Sequence, residues 1–496
     1  MFSNLKNCSP AKVTAFSLLF FLLLNGVYYQ IIDLNIEYLK AESGVFLMHA
    51  AKSPEESKAF FDEYVYSAYH AHFTPVVFLA EYYQSKLFAT CETCWYWRQI
   101  FVASLFMSCI VYFSIRLSMT GKELTHPNWQ RNLTGLAIGI VFGFQPIIST
   151  LIGWPFMAIQ FLCLSVSLFS FLYLFEFTQS GRRLHLYLAL GLAYLTMHIF
   201  GTGLAISLSV LFTATLLITL KWSQTSDDKL TLVKSLIPVF IVSALTLGHT
   251  YLMLKGELHT DAENVSFITS ITRYGAILIE FLHTSLRYIW AQGGCHQPEM
   301  RGMETDSIYG WGLVIIVLIT ILSSINTYLK KPSDELLMRI SFLTLPTITL
   351  LIIVAMITYR IQSEPSHNVI IGYINTDRYL IFSSFCGLVY CLGLFLRSNI
   401  KITTSVAAAF CIAAVFSIAG NAVFMHKVPH IVWPEKSISH EEYWNEILHS
   451  VQANPDHQSA SWNQSMSVVT VFDLTPLDFQ ALIEKQLKPQ NSAESD

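Results

Sequence analysis

Long apolar runs separated by short polar breaks dominate the chain. Stretches of about 17–25 apolar residues, the length of a membrane-crossing helix, recur at 14–32, 99–118, 134–152, 155–177, 184–201, 203–220, 235–254, 309–328, 340–358, 378–396 and 402–424. This pattern predicts an all-α polytopic membrane protein with about eleven transmembrane helices. Residues 1–424 form the transmembrane domain, with a first long loop at 33–98 and a second at 255–308; a small tail covers 425–496. The first run lacks a small-x-small cleavage site after it and is expected to stay as the first span.

Basic residues orient these spans. Lys6 and Lys12 precede the first; Arg116, Lys122 and Arg131, then Arg182 and Arg183, then Lys221, Lys229 and Lys234, then Lys330, Lys331 and Arg339, then Arg397 and Lys401 fall in alternate loops. Positive residues stay on the cytoplasmic side, so the N-terminus is expected inside and the C-terminus outside. Both long loops and the tail then lie outside. In the tail, 439–453 reads as a capped amphipathic helix, with Ser439 at the N-cap and Glu442 three residues on.

Composition agrees with the pattern: 53% of residues are hydrophobic and 13% charged, and mean hydropathy is +0.47. Soluble domains carry nearly twice that share of charge. A net charge of −4, with no basic run longer than two residues, gives no reason to expect a nucleic-acid partner. Most of the nine cysteines fall inside apolar runs, where they act as small hydrophobes. Cys91 and Cys94 lie in the first loop and form either a local bridge or two free thiols.

Candidate chemistry concentrates in FFDEYVYSAYHAHFTPVVFLAEYY at 60–83. It carries the adjacent acids Asp62 and Glu63, a His-x-His pair (His70, His72), Pro75 and five tyrosines. At helical spacing Phe61, Val65, Ala68 and His72 share one face, as expected of a segment lying along a membrane surface. Asp33 and Glu37, just past the first span, are further acids on the same side. Each is either a solvated loop acid or a base able to take a proton from an acceptor hydroxyl; Asp33 has the better-anchored position and Asp62–Glu63 the better local pattern. His70 and His72 point about 200° apart on a helix, which disfavours joint ligation of one metal. They suit hydrogen bonding to phosphate or sugar, a structural interfacial role, or a zinc or manganese site that Asp62 or Glu81 joins. Among the arginines of the outer segments, Arg360 and Arg378 close and open late spans, as interfacial anchors or as bidentate partners for phosphate.

Three stretches resemble the GT-C superfamily of integral-membrane glycosyltransferases, in its protein-O-mannosyltransferase-like and bacterial lipid-glycosylating branch. YHAHFTPVVFLAEYYQSKLF resembles a loop in which a basic or aromatic residue precedes a proline and a re-entering amphipathic helix. FGFQPIISTLIGWPFMAIQFLCLSVSLFSFLYLF is similar to that branch's third and fourth spans, with Gln145-Pro146 where His-Pro is common. TDRYLIF resembles the Arg-Tyr-Leu opening of a late span. The resemblance implies inverting transfer of a sugar from a polyprenyl-phosphate donor to a lipid or glycan acceptor on the outer face of a bacterial inner membrane. It assigns the base to Asp33 by position or to the Asp62–Glu63 doublet by form, the doublet lying about 30 residues further on than is usual. Arg378 with Arg360 then holds the leaving phosphate, and Glu37, His70 and His72 line the substrate cavity. No cofactor is required, and a divalent cation is compatible. A transporter or flippase of lipid-linked saccharide, or a surface-polysaccharide polymerase or ligase, shares the layout. A transporter is expected to bury ionisable residues mid-span, for which His198 is the main candidate.

Overall fold

The computed structural model describes residues 10–31, 42–51, 54–68, 73–89, 91–119, 129–224, 229–255, 267–289, 303–360, 377–397 and 404–427. Every element among them is helical: α1 (Pro10–Ile31), α2 (Glu42–Ala51), α3 (Pro54–Phe60) running into a π-helical turn (Phe61–Val65), α4 (Pro75–Phe88), α5 (Glu92–Met119), α6 (Trp129–Gly143), α7 (Pro146–Ile152) and α8 (Pro155–Ser180). There follow α9 (Arg183–Ile199), α10 (Gly203–Gln224), α11 (Lys229–Lys255), α12 (Phe267–Ile289), α13 (Met303–Lys330), α14 (Asp334–Arg360), α15 (Asp377–Arg397) and α16 (Thr404–Lys427). Proline opens α4, α7 and α8, where its missing N–H costs nothing and its fixed φ suits the first turn. Gly181, at φ +65°, ends α8 in the left-handed conformation that glycine adopts without strain.

Seven helices are long and apolar enough to cross a membrane, among the described residues: α5, α8, α10, α11, α13, α14 and α16. They divide by environment. The apolar windows of α5, α8, α10 and α14 are 67–78% buried, whereas those of α11, α13 and α16 are 22% buried. The first four form the centre, and the other three turn residues such as Phe240, Leu247, Ile316, Leu322 and Phe416 outward. So much exposed apolar side chain suits a hydrocarbon surrounding and not water.

Four of the eleven expected spans are not in this set. The run at 134–152 is broken at Phe144–Gln145 into α6 and α7, because Pro146 starts a new helix and cannot continue the old one. α9 has 17 residues, α15 contributes a shorter apolar stretch at Leu380–Gly393, and α1 falls outside the set. The second loop also differs from expectation. It contains α12, which buries Ala276, Ile277, Leu278, Glu280 and Phe281 while exposing Ile268 and Ile271. α12 meets α13 at a glycine crossing so close that a Cβ on Gly310 would lie 2.0 Å from the Gly275 carbonyl oxygen.

Side-chain contacts fix the running sense of the bundle. Phe106 stacks on Phe161 and Phe113 packs against Phe175, so α5 and α8 run together. α6 runs against α5, with Gly139 on Ile110 and Gly143 on Met107. α14 runs against α8 and α10: Phe342 stacks on Phe175, and the hydroxyls of Thr349 and Thr213 pair with Ser209 and Thr344. Such interhelical hydroxyl bonds join helices in a medium that offers no hydrophobic drive for their association. α15 follows α8, from Phe385 against Phe171 to Gly393 against Phe342. One end of the bundle therefore carries the starts of α5, α8 and α15 and the finish of α14. The opposite end carries the Arg116–Glu176 ion pair and Lys221, whose Nζ donates to the last carbonyls of α8.

Candidate functional site

α2, α3, the π-helical turn and α4 collect at the end where α8 begins. An aromatic cluster holds them there. Phe46 stacks on Phe156 at 5.6 Å, Phe60 on Tyr64 at 4.9 Å and on Tyr82 at 5.1 Å, and Phe78 packs against Phe46 and Phe156. Polar contacts complete the joint: the Phe156 N–H donates to Ser43 Oγ, and the Tyr82 hydroxyl to Ser57 Oγ. Alternating aromatic and polar positions in 60–83 thus become a packed platform, with Tyr64, Val65, Val77, Phe78 and Tyr82 buried.

The helix expected through Phe61, Val65, Ala68 and His72 ends at Val65 among the described residues. At Phe61–Val65 the backbone widens, with Tyr66 N–H bonding to Phe61 O at 2.9 Å, and Ser67 Oγ donates to the carbonyls of Asp62 and Glu63. Such π-turns concentrate at functional sites. Here the wide turn sends Tyr64 and Val65 inward and leaves Asp62, Glu63 and Tyr66 exposed side by side. The two acids therefore stand exposed on a packed base.

Asp33, Glu37, His70 and His72 lie outside the described residues. Arg360 is the last residue of α14 and Arg378 the second of α15, and the running sense of those helices puts both backbone positions at the acid-bearing end. Asp62 and Glu63 and the backbone positions of Arg360 and Arg378 thus lie toward one end of the bundle. Among the described residues no three His, Cys, Asp or Glu side chains converge as a metal site.

Two groups at this end were not apparent from sequence spacing. Beneath the platform Glu81, fully buried, pairs with Arg98, which also donates to Gln84 Oε1, Gln99 Oε1 and the Pro155 carbonyl. Gln99 Nε2 bonds in turn to the Ile152 carbonyl at 2.5 Å, so one ion pair ties α4, α5, α7 and α8 together. Burial pushes the Glu81 carboxyl above its ordinary range, against the pull of the Arg98 guanidinium. Both side chains are held in this buried pair, away from any substrate.

The second group is a pair of imidazoles. His198 of α9 meets His249 of α11 edge to face at 4.9 Å, with Phe73 packed against both at 6.2 and 5.4 Å and Tyr194 against His198 at 4.8 Å. His249 is 4% exposed, and its Nδ1 has no hydrogen-bond partner. Cys91 and Cys94 form a disulfide at the turn between α4 and α5, and Trp95 Nε1 donates to the Ala89 carbonyl beside it.

No family model, no curated protein and no solved structure matches this chain. Fold and surface define its class: a protein whose described elements are all helical and whose long apolar helices suit a membrane, with a packed, acid-bearing platform at one end.

Proposed function

We propose that this chain is a membrane glycosyltransferase of GT-C type, moving a sugar from a polyprenyl-phosphate donor to a lipid or glycan acceptor on the outer face of a bacterial inner membrane. One observation carries the proposal: two adjacent acids stand exposed on a π-helical turn that a buried aromatic platform holds rigidly at the end of an apolar bundle. Arg360 and Arg378 belong to the same end, and Arg116, Glu176 and Lys221 occupy the other, basic one, which fits an eleven-span arrangement with the platform outside.

In this reading a carboxylate, Asp62 or Asp33 with Glu63 beside the former, takes the proton from the acceptor hydroxyl. The hydroxyl oxygen bonds to the anomeric carbon as the carbon–oxygen bond to phosphate breaks. The bonding electrons leave on the phosphate oxygen, where Arg378 and Arg360 stabilise them. Glu37, His70 and His72 shape the sugar cavity. A monophosphate leaving group needs no metal for this step, and a divalent cation is compatible with it.

The test is sugar transfer by the reconstituted protein from a polyprenyl-phosphate sugar donor, with Asp33→Asn, Asp62→Asn and Glu63→Gln beside the parent. Loss of about 100-fold or more in at least one variant, at unchanged stability, is expected for removal of a general base. Parental activity in all three removes the mechanism. A second reading, transport of lipid-linked saccharide, draws on the broken helix α6–α7, since transporters line their sites with such breaks. It predicts movement of labelled lipid-linked sugar across the bilayer with no glycosidic bond cleaved.

A further inference from the structure

The α6–α7 break gathers polar side chains that sugar transfer does not use. Gln145, in the break itself, is fully buried, and neither its Oε1 nor its Nε2 has a hydrogen-bond partner. Asn421 of α16 is also fully buried; its Nδ2 donates to Ser149 Oγ at 2.8 Å, and its Oδ1 has no partner. Ser383 and Ser384 of α15 are 3% and 6% exposed, with both hydroxyls unpartnered.

Helix register brings these groups within about one turn of one another along the bundle axis. α15 runs against α6 with Gly387 on the Phe142 ring, so Ser383 and Ser384, one turn earlier, fall level with Gln145. α16 runs with α6: Ser417 Oγ donates to the carbonyls of Val141 and Phe144, and Asn421, one turn on, reaches Ser149. Tyr29 of α1 closes the layer through its hydroxyl contact with Ser149 Oγ at 3.3 Å. The layer lies about 10 Å along the axis from Ile152, taking 1.5 Å per residue. It is thus within the bundle and not at its rim.

Buried polar atoms without partners are rare because each forfeits its hydration, and several within about one turn along a membrane bundle call for a shared ligand. The unpartnered groups here are neutral and mostly oxygen: two hydroxyls, two amide oxygens and one amide nitrogen, Gln145 Nε2. No thiolate or imidazole belongs to the set, which disfavours a transition metal, and no carboxylate does, which disfavours a divalent ion that must be stripped of water. Hydroxyl and amide oxygens around a broken helix suit a monovalent cation, which gives up its water far more easily than a divalent one. We infer that the α6–α7 break, with Ser383, Ser384 and Asn421, binds a sodium ion. This is independent of the sugar-transfer reading, and the main rival occupant is water, which serves donors and acceptors alike.

The test uses the full-length protein in detergent. Thermal unfolding is followed in sodium chloride and in choline chloride at equal ionic strength, and bound radiolabelled sodium is counted with and without excess unlabelled sodium. A saturable rise in Tm with sodium but not choline is expected, with displaceable bound label. Ser383→Ala/Ser384→Ala and Asn421→Leu are expected to weaken apparent sodium affinity at least roughly tenfold, the loss of one coordinating contact or more. Should Asn421→Leu fail to fold, the double serine variant, which removes only two hydroxyl oxygens, decides the matter. Equal Tm in both salts with no displaceable label overturns the site, as does parental affinity in the serine variant.

Discussion

Replacing Arg98 with methionine removes one member of a buried pair and leaves the other behind. Glu81 is fully buried and the Arg98 side chain is 7% exposed, so water cannot take over the lost contacts. Breaking a buried pair by deleting one partner costs about 3–5 kcal/mol, because the remaining ion has no compensation. Glu81→Gln is milder, about 1–3 kcal/mol, since an amide oxygen still accepts from Arg98, and Gln84, Gln99 and the Pro155 carbonyl stay in place. The double variant Glu81→Met/Arg98→Met removes both charges at once, and its cost should fall to about 0–2 kcal/mol. The double variant is thus expected to be more stable than Arg98→Met alone.

Unfolding by sodium dodecyl sulfate in mixed micelles, at fixed pH, measures all three. The pH dependence supplies a second check. Burial raises the folded Glu81 pKa above its ordinary value of 4.5, so the folded protein keeps a proton that the unfolded chain has lost. Stability from this group is full below the unfolded value and declines as pH rises through the folded one. Without Arg98 the folded value rises further, which extends the decline to higher pH; the double variant shows none of it. A loss in the double variant larger than that of Arg98→Met, or a loss below about 1 kcal/mol in Arg98→Met, would refute the buried pair as the tie between α4, α5, α7 and α8.

Other outcomes are expected elsewhere in the fold. Gly310→Leu places a branched side chain where a Cβ already meets the Gly275 carbonyl, and should cost at least about 1–3 kcal/mol, whereas Gly312→Leu, facing open space, should cost less; the same unfolding assay compares them. Equal losses would contradict the α12–α13 crossing. Cys91 and Cys94 should resist alkylation in the denatured, unreduced protein and react only after reduction, as read by mass spectrometry. Phe240→Lys puts a charge on an exposed apolar face and should lower insertion by about 2–3 kcal/mol if α11 faces lipid, measured by glycosylation mapping of the inserted fraction.

Much of the bundle was legible from hydropathy alone. The seven long spans fall on apolar runs because an apolar stretch of that length has few other ways to satisfy its backbone. The break at Gln145–Pro146 was less visible, since apolar residues on both sides hide a stop that only the proline marks. α12 escaped because Arg273, Glu280 and Arg287 interrupt its apolar residues before a run of spanning length builds up, although Ala276, Ile277, Glu280 and Phe281 follow helical spacing. The Asp62–Glu63 doublet was legible as chemistry, but the π-turn that exposes it was not, being set by the packing of Phe60, Tyr64 and Tyr82. Glu81 and Arg98 lie 17 positions apart across a turn, and only the fold makes them partners. His198 stood out as an interior histidine, whereas its neighbour His249 was lost in an apolar run.

The proposed chemistry depends on which side of the membrane the acid-bearing platform faces. Ser67→Cys, next to that exposed turn, can be treated with a membrane-impermeant maleimide in intact spheroplasts and again after lysis, with the parent protein as background. Labelling of intact cells equal to that of lysed cells is the expected result and places Asp62 and Glu63 at the outer surface. Labelling only after lysis would put the platform in the cytoplasm and contradict sugar transfer on the outer face.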